Sequence, residues 1–267
     1  CRLMDIENNS FAHPDFYLLT AEEAGKDIKI EQVKEMAKQA AFAPVLSEHK
    51  VCIIDDAGQM TAEAANSLLK LLEEPPPGWL FILIAQQSER LLPTVLSRVV
   101  RLRFDAPDSS AVQQILKVKG ISQNTQVLAA LAGGSPGRAL SYNQADIFAI
   151  RREALDLLKK LPLQNPFGYI AALGWGEKYD RAAALLLTEQ FIYLLRDVLL
   201  LQSGAGGQVY NTDIMAGLDG IAADWPLHTA RQGVNAAQEA WQNINKNVSA
   251  KNVLEALVLK LDLLRKE

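Results

Sequence analysis

The sequence predicts a parallel α/β domain followed by an all-helical region. Early in the chain, short apolar runs that are typical of buried strands alternate with segments of helical spacing. After the polar turn Asp105-Ala106-Pro107-Asp108, no segment is typical of a strand and longer helical patterns follow. Because alternating strands and helices indicate a parallel sheet, these observations predict an α/β plus all-α architecture.

Four strands are predicted in the first region, at residues 16–19, 51–54, 80–84 and 99–104. The second and third are continuous apolar runs, as expected of strands that a parallel sheet buries on both faces. Helical spacing over residues 30–41 predicts a helix before the second strand. Thr61 is the predicted N-cap of the next helix, which ends at the prolines of residues 75–77, and Pro93 marks a turn before the fourth strand.

Three short helices are predicted between residues 108 and 144. Ser110 and Gln113 have the spacing of a capping box at the start of the first helix, and Ser122 is a candidate cap for the second. Ser135 precedes a proline that suits the first turn of the third. Longer helices are predicted farther on, including residues 179–202 and 248–266.

These patterns predict three domains. They are a partial α/β domain over residues 1–105, a small helical domain over residues 106–145 and a larger helical domain over residues 146–267. The long helices have apolar faces, such as Leu194, Leu195, Val198 and Leu201. Such a face could join the chain to a partner, but for each of these residues the core is the favoured interpretation.

The composition excludes several functional classes. The 267 residues are 49% hydrophobic, which is typical of a globular protein, and the net charge of -4 argues against a free-standing basic DNA-binding protein. No apolar stretch approaches the roughly 18 residues that cross a bilayer, and no signal-peptide pattern is present. Cys1 and Cys52 are the only cysteines. Cys52 lies in an apolar run, so a buried free thiol and a reducing cytoplasm are expected.

Two carboxylates follow the second predicted strand. Asp55 and Asp56 stand where the carboxyl ends of parallel strands bind ligands in α/β folds. In phosphate-binding ATPases an Asp at this place helps to hold Mg²⁺. Taken alone, the pair is equally well explained as a solvated strand end.

Three further segments give this pair a context. They are NSLLKLLEEPP at residues 66–76, LSR at residues 96–98 and GSPGRAL at residues 134–140. Taken in this order, they resemble the clamp-loader branch of the AAA+ ATPases, and the resemblance covers about residues 13–140. It implies a partial RecA-like sheet domain, a helical lid and a C-terminal helical collar.

The resemblance also implies a degenerate nucleotide site. Asp55 matches the metal-binding position of the Walker B strand, but Asp56 stands where active relatives have Glu. Its side chain is one methylene shorter, so the carboxylate would fall roughly an ångström short of the attacking water. Gln86 occupies the sensor position where active relatives have Thr or Asn. Together these differences predict a site that is not maintained for hydrolysis.

Two arginines have roles implied by the resemblance. In this family the pair Ser97-Arg98 is presented to the neighbouring subunit, whose ATP site the arginine completes as a finger. A guanidinium fork suits the charge that develops on a γ-phosphoryl group. A surface ion pair is the alternative for Arg98, and the surrounding motifs favour the finger. Arg138 matches a second sensor arginine of the lid, for which a structural role is an equal alternative.

The implied function is that of a non-catalytic clamp-loader subunit in bacterial DNA replication, within a DNA polymerase holoenzyme. ATP and Mg²⁺ would be bound by partner subunits, and this chain would bind no cofactor. The implied partners are ATPase subunits of the gamma/tau type, the delta subunit and, through the complex, the sliding clamp and primer-template DNA. Two alternatives stay open: an ATPase in its own right, and a helical interaction scaffold of another assembly.

No phosphate loop of the form GxxxxGK followed by Ser or Thr occurs in the chain. The resemblance places that loop upstream of Cys1, together with a four-cysteine zinc module of which Cys1 resembles the final ligand. Cys1 with His13 is two ligands short of a structural zinc site, so zinc is expected only in the intact protein. We expect the natural protein to include this segment, because the phosphate-loop strand is central in such sheets and its loss exposes apolar residues around residues 51–54.

Overall fold

The structure is a computed structural model that describes residues 13–22 and 26–266. The chain divides into two compact units, Cys1–Phe104 and Asp105–Glu267, which we call unit 1 and unit 2. Unit 1 combines a sheet with helices, and the described part of unit 2 is helical. The predicted α/β plus all-α architecture is therefore confirmed.

Unit 1 is built on a three-stranded parallel sheet in the order β1-β2-β3. Its strands are β1 (Phe16–Leu19), β2 (Lys50–Ile54) and β3 (Trp79–Leu83), and its helices are α1 (Ile30–Gln39), α2 (Ala62–Glu73) and α3 (Pro93–Leu96). The register pairs Leu19 with Ile54 and Ile54 with Leu83. The carboxyl ends of all three strands therefore lie at one edge of the sheet.

One face of this sheet is buried against helices α1 and α2. Cys52 and Ile54 of β2 share a core with Met36 of α1 and Leu68 of α2. The Cys52 Sγ donates to the Met36 Sδ at 3.3 Å, and burial raises the pKa of the thiol to about 12. Cys52 is thus the buried free thiol that the sequence predicts.

Local signals place the start of helix α2. The Thr61 hydroxyl oxygen accepts a hydrogen bond from the backbone N–H of Ala64 at 3.2 Å, which confirms the predicted cap. The helix ends at Glu73, before the proline run. Both ends of this helix follow from chemistry within a few residues of the chain.

The predicted fourth strand at residues 99–104 is wrong. This segment pairs with none of β1, β2 and β3, and Val100, Leu102 and Phe104 are 89%, 76% and 90% exposed. An alternating apolar pattern shows what a segment can bury, but a strand forms only where a neighbour supplies backbone hydrogen-bond partners. Apolar exposure was also expected around residues 51–54. Val51 and Ile53 of β2 are half-buried there, and Leu80 and Ile82 of β3 are exposed.

Unit 2 contains ten α-helices among the described residues, which include no strand. They are α4 (Ser109–Val118), α5 (Thr125–Leu131), α6 (Pro136–Gln144), α7 (Ile147–Lys160), α8 (Pro166–Leu173), α9 (Trp175–Lys178), α10 (Arg181–Gln202), α11 (Met215–Asp224), α12 (Leu227–Asn245) and α13 (Ala250–Leu264). One cluster of buried apolar residues extends from Val112 to Leu261. The division at residue 145 into a small and a larger helical domain stays a prediction.

The predicted capping box of the first short helix is replaced by a cap two residues earlier. The Asp108 Oδ1 accepts from the backbone N–H of Ala111 at 2.8 Å, so helix α4 begins at Ser109. Ser110 lies inside the helix and donates its hydroxyl to the same Asp108 oxygen. Asp108 and Ser110 both lie at this helix start. The ionised carboxylate of Asp108 accepts from backbone N–H groups more strongly than a neutral hydroxyl does, so Asp108 is the cap.

The starts of the next two helices differ in how well the sequence predicts them. Helix α5 begins after Asn124, which has a left-handed backbone and makes no side-chain cap, so the prediction of Ser122 is wrong. Asn adopts this conformation more readily than most residues, which lets the chain turn into the helix without a cap. Pro136 lies in the first turn of helix α6, as predicted, and Ser135 also caps this helix by accepting from the backbone N–H of Arg138 at 3.2 Å.

The apolar face of helix α10 confirms the interpretation as core. Leu194, Leu195 and Val198 are fully buried, and Leu201 is half-buried. The helix begins at Arg181 because the Asp180 side chain caps it. In the part of the chain that the structure describes, no helix is both long enough and apolar enough to cross a membrane.

A buried carboxylate in unit 1 holds a loop by its backbone. Asp15 is 2% exposed and accepts from the backbone N–H groups of Val45, Leu46 and Ser47 at 2.6, 2.7 and 2.8 Å. Burial by itself raises the pKa of the Asp15 carboxyl, but these hydrogen bonds and the nearby His13 lower the pKa below its ordinary value. The ionised carboxylate therefore stabilises the folded unit.

We expect Asp15→Asn to lower the thermal stability of the chain at neutral pH. Because the folded pKa lies below the unfolded one, the wild-type advantage is complete above the unfolded pKa of about 4 and disappears as the pH falls through the folded pKa. Thermal unfolding of both proteins between neutral and strongly acidic pH measures this. Asp27→Asn, at an exposed aspartate of the same unit, is the control. A difference between wild type and Asp15→Asn that persists at the lowest pH contradicts the prediction.

Candidate functional site

The carboxyl end of β2 presents the first predicted site residue. Asp55 follows the strand directly and is exposed. Its backbone N–H donates to the Leu19 carbonyl at 2.9 Å, and its Oδ1 accepts from the backbone N–H of Asp56 at 3.0 Å. The backbone of Asp55 is thus held by β1, with an exposed carboxylate at the edge where parallel strands place ligands.

Asp56 is held differently from Asp55. Its backbone is left-handed, with φ of 48°, and it opens the short 3-10 turn Ala57–Gln59. Its Oδ2 accepts a hydrogen bond from the Gln59 amide. This leaves the other carboxylate oxygen to polarise a water, on a side chain that is one methylene shorter than Glu. Gln59 is a partner that the sequence reasoning missed, although its spacing of three residues from Asp56 is a usable signal.

Gln86 lies at a bend after β3 and is exposed. The backbone N–H of Ala57 donates to the Ile84 carbonyl at 2.7 Å, which ties the segment after β2 to the segment after β3. The structure therefore brings Asp55, Asp56 and Gln86 to the same edge of the sheet.

This edge offers carboxylates but does not fit a nucleotide without further groups. A phosphate chain is normally held by the backbone N–H groups and lysine of a glycine-rich loop, and the sequence contains no such motif. Nowhere among the described residues do three or more His, Cys, Asp or Glu side chains group as a metal site. Cys1 lies outside the described residues, and the His13 Nδ1 accepts from the backbone N–H of Asp15 at 3.1 Å.

The predicted finger residues lie at the end of helix α3. The Ser97 hydroxyl donates to the Thr94 carbonyl at 3.0 Å. Arg98 donates from one terminal nitrogen to the same carbonyl at 2.9 Å and to the Ser97 Oγ at 3.1 Å. Ser97 thus positions the guanidinium of Arg98, whose side chain is 33% exposed.

Arg98 also forms a surface ion pair, the alternative that the sequence left open for it, with a partner that the sequence did not identify. Its Nε donates to the Glu73 Oε1 at 2.5 Å, and its other terminal nitrogen contacts the same oxygen. Glu73 is the last residue of helix α2 and is 47% exposed. The two residues belong to separate motifs, so no local pattern relates them.

Arg138 in helix α6 is held within unit 2. One terminal nitrogen donates to the Glu189 carboxylate and to the Tyr193 hydroxyl, the latter at 2.9 Å, and both partners belong to helix α10. The Tyr142 hydroxyl donates to the other Glu189 oxygen, and the guanidinium lies 5.3 Å from the centre of the Tyr142 ring. Burial and the Glu189 carboxylate raise the pKa of the Tyr142 hydroxyl, so it stays protonated as a donor. Arg138 thus links α6 to α10.

Comparison with known families matches the first part of the chain. A family model described as "DNA polymerase III, delta subunit" matches residues 1–108. The solved structure of a DNA polymerase III gamma subunit-related protein from Thermotoga maritima covers 94% of this chain and 84% of its own, with a TM-score of 0.50 and 18% identity. At this identity the match concerns the fold, and it agrees with a partial AAA+ domain followed by helices.

Curated relatives match most of the chain. DNA polymerase III subunit delta' from Bacillus subtilis is 28% identical over 93% of this chain and 76% of the relative. The same subunit from Escherichia coli is 32% identical over 88% of this chain and 67% of the relative. DNA polymerase III subunit gamma/tau from Mycobacterium tuberculosis is 29% identical over 65% of this chain, but over only 34% of its own length. The chain therefore belongs to the family of DNA polymerase III subunit delta'.

Proposed function

We propose that this chain is a non-catalytic subunit of the bacterial DNA polymerase III clamp loader. In this role it donates Arg98 to an ATP molecule that a neighbouring gamma/tau-type subunit binds with Mg²⁺. The complex, which also includes the delta subunit, loads the sliding clamp onto primer-template DNA in the cytoplasm. The observation that carries the proposal is the exposed guanidinium of Arg98, fixed at the end of helix α3 by Thr94 and Ser97.

The strand-end carboxylates support the non-catalytic part of the proposal. One oxygen of Asp56 is engaged by Gln59, and the side chain is one methylene shorter than the Glu of active relatives. A hydrolytic site needs a carboxylate that polarises the attacking water. We infer that Asp55, Asp56 and Gln86 are the degenerate remainder of a nucleotide site.

We further propose that Arg138 has a structural role. Through one terminal nitrogen, its guanidinium is already paired with Glu189 and Tyr193, which supports a structural role. The pair connects the proposed lid helices, residues 106–145, to the proposed collar, residues 146–267. The collar helices would then hold the subunit in its ring.

Size-exclusion chromatography of this chain, mixed with the clamp-loader ATPase subunit of the same organism, tests the proposal. We expect a defined complex, and no binding of a fluorescent ATP analogue by this chain alone. Separate elution would count against a ring subunit, provided that the same result is obtained with the chain extended to the full length of its relatives. Tight binding and hydrolysis of ATP by the chain alone would instead favour an ATPase in its own right.

A further inference from the structure

One edge of the Arg98 guanidinium is already occupied by a carboxylate. Its Nε donates to the Glu73 Oε1 at 2.5 Å, and one terminal nitrogen contacts the same oxygen. The other terminal nitrogen donates to the Thr94 carbonyl and to the Ser97 Oγ. Because a fork of two N–H groups is what binds a phosphoryl oxygen pair, a phosphate that approaches the edge formed by Nε and the terminal nitrogen beside Glu73 has to displace Glu73.

Glu73 is the partner that such an exchange would displace. The contacts with Thr94 and Ser97 are local to helix α3 and its end, and they position the side chain. The contact with Glu73 comes from another helix and covers the edge formed by Nε and a terminal nitrogen. Its negative charge also offsets the positive charge that a γ-phosphoryl group would meet.

The strength of this pair suits a reversible contact. The side chains of Arg98 and Glu73 are 33% and 47% exposed, and ion pairs that solvent reaches are weak. A phosphate carries more negative charge than a carboxylate and accepts the same bidentate hydrogen bonds, so it competes well for the guanidinium.

We propose that Glu73 is a latch that holds Arg98 inactive until the neighbouring subunit's ATP is correctly placed. This inference rests on the proposed finger role of Arg98 and adds a regulatory residue to it. In the latched state Glu73 occupies the guanidinium, and hydrolysis in the neighbouring site is slow. Once the clamp and DNA draw the subunits together, the γ-phosphoryl group displaces the Glu73 carboxylate.

Hydrolysis of ATP by the reconstituted complex tests the latch, with Glu73→Gln in place of this subunit. The amide keeps the size of the side chain but removes its charge, so hydrolysis without clamp and DNA should rise about two- to fivefold, as expected for the loss of a weak exposed pair. The KM for ATP and the rate with clamp and primed DNA should stay unchanged. Glu74→Gln is the matched control, because Glu74 is the adjacent exposed glutamate.

Variants at Arg98 separate the latch from the finger. The double variant Glu73→Gln with Arg98→Ala should hydrolyse ATP as slowly as Arg98→Ala alone, since the latch acts only through the arginine. The latch proposal is wrong if Glu73→Gln leaves the rate without clamp and DNA unchanged or lowers it. If Arg98→Ala then still abolishes stimulated hydrolysis, the proposed finger role of Arg98 is retained. If Arg98→Ala changes no rate, the proposed function itself fails.

Discussion

Replacing Arg98 by alanine is expected to slow ATP hydrolysis at one site of the assembled clamp loader by about 10³-fold or more. The guanidinium would stabilise charge that develops on the γ-phosphoryl group only in the transition state, so its loss should lower the rate constant more than the affinity for ATP. The side chain is exposed and its helix is short, so folding should be little affected. The neighbouring subunit should still bind ATP.

Single-turnover hydrolysis by the complex measures this effect, because steady-state turnover also includes the other ATP sites. Arg98→Lys should recover little of the rate, since an ammonium keeps the charge but not the planar fork. Arg101→Ala, at an exposed arginine of the same unit, is the control for a general loss of positive charge. Equal single-turnover rates for wild type and Arg98→Ala in an intact complex would contradict the proposed finger role of Arg98.

Asp197→Ala is expected to lower the free energy of unfolding of unit 2 by about 3–5 kcal/mol. Asp197 is fully buried, and its Oδ2 accepts from the backbone N–H and the side-chain amide of Asn211 at 2.9 and 2.7 Å. It also accepts from the backbone N–H of Tyr210 and from Arg196. Removing the carboxylate leaves several buried donors without a partner, which costs more than the loss of a single hydrogen bond.

The loss of stability in Asp197→Ala should also involve Arg151, the buried arginine next to Asn211. Arg151 is 5% exposed and donates to the Asn211 side-chain oxygen at 2.9 Å and, with both terminal nitrogens, to Asp213. Because Asn211 connects the two charged residues, the energetic effects of Asp197→Ala and Arg151→Ala should not add in the double variant.

Urea unfolding monitored by circular dichroism measures both effects. Asp219→Ala, at an exposed aspartate of helix α11, is the control and should change stability by less than about 0.5 kcal/mol. A loss below about 1 kcal/mol for Asp197→Ala would show that solvent replaces the carboxylate at these donors.

Several features that depend on neighbouring residues were predicted from the sequence. The cap by Thr61, the proline in the first turn of α6, the end of α2 before its prolines and the parallel sheet all follow from patterns within a few residues or from the order of elements. The motif around Arg98 is likewise contiguous. Family membership followed from such strings, and the comparisons confirm it.

The features that depend on distant residues were decided by the tertiary structure alone. The segment at residues 99–104 has the apolar pattern of a strand but is not part of the sheet β1-β2-β3, and a local pattern does not show whether a segment joins a sheet. Arg98 pairs with Glu73 across 25 residues and Arg138 with Glu189 across 51. Which carboxylate an arginine contacts depends on how helices pack, because charged side chains carry no periodicity that identifies a partner. The sequence by itself thus determined most of the elements and the family, and the packing of the elements determined the partners of both arginines.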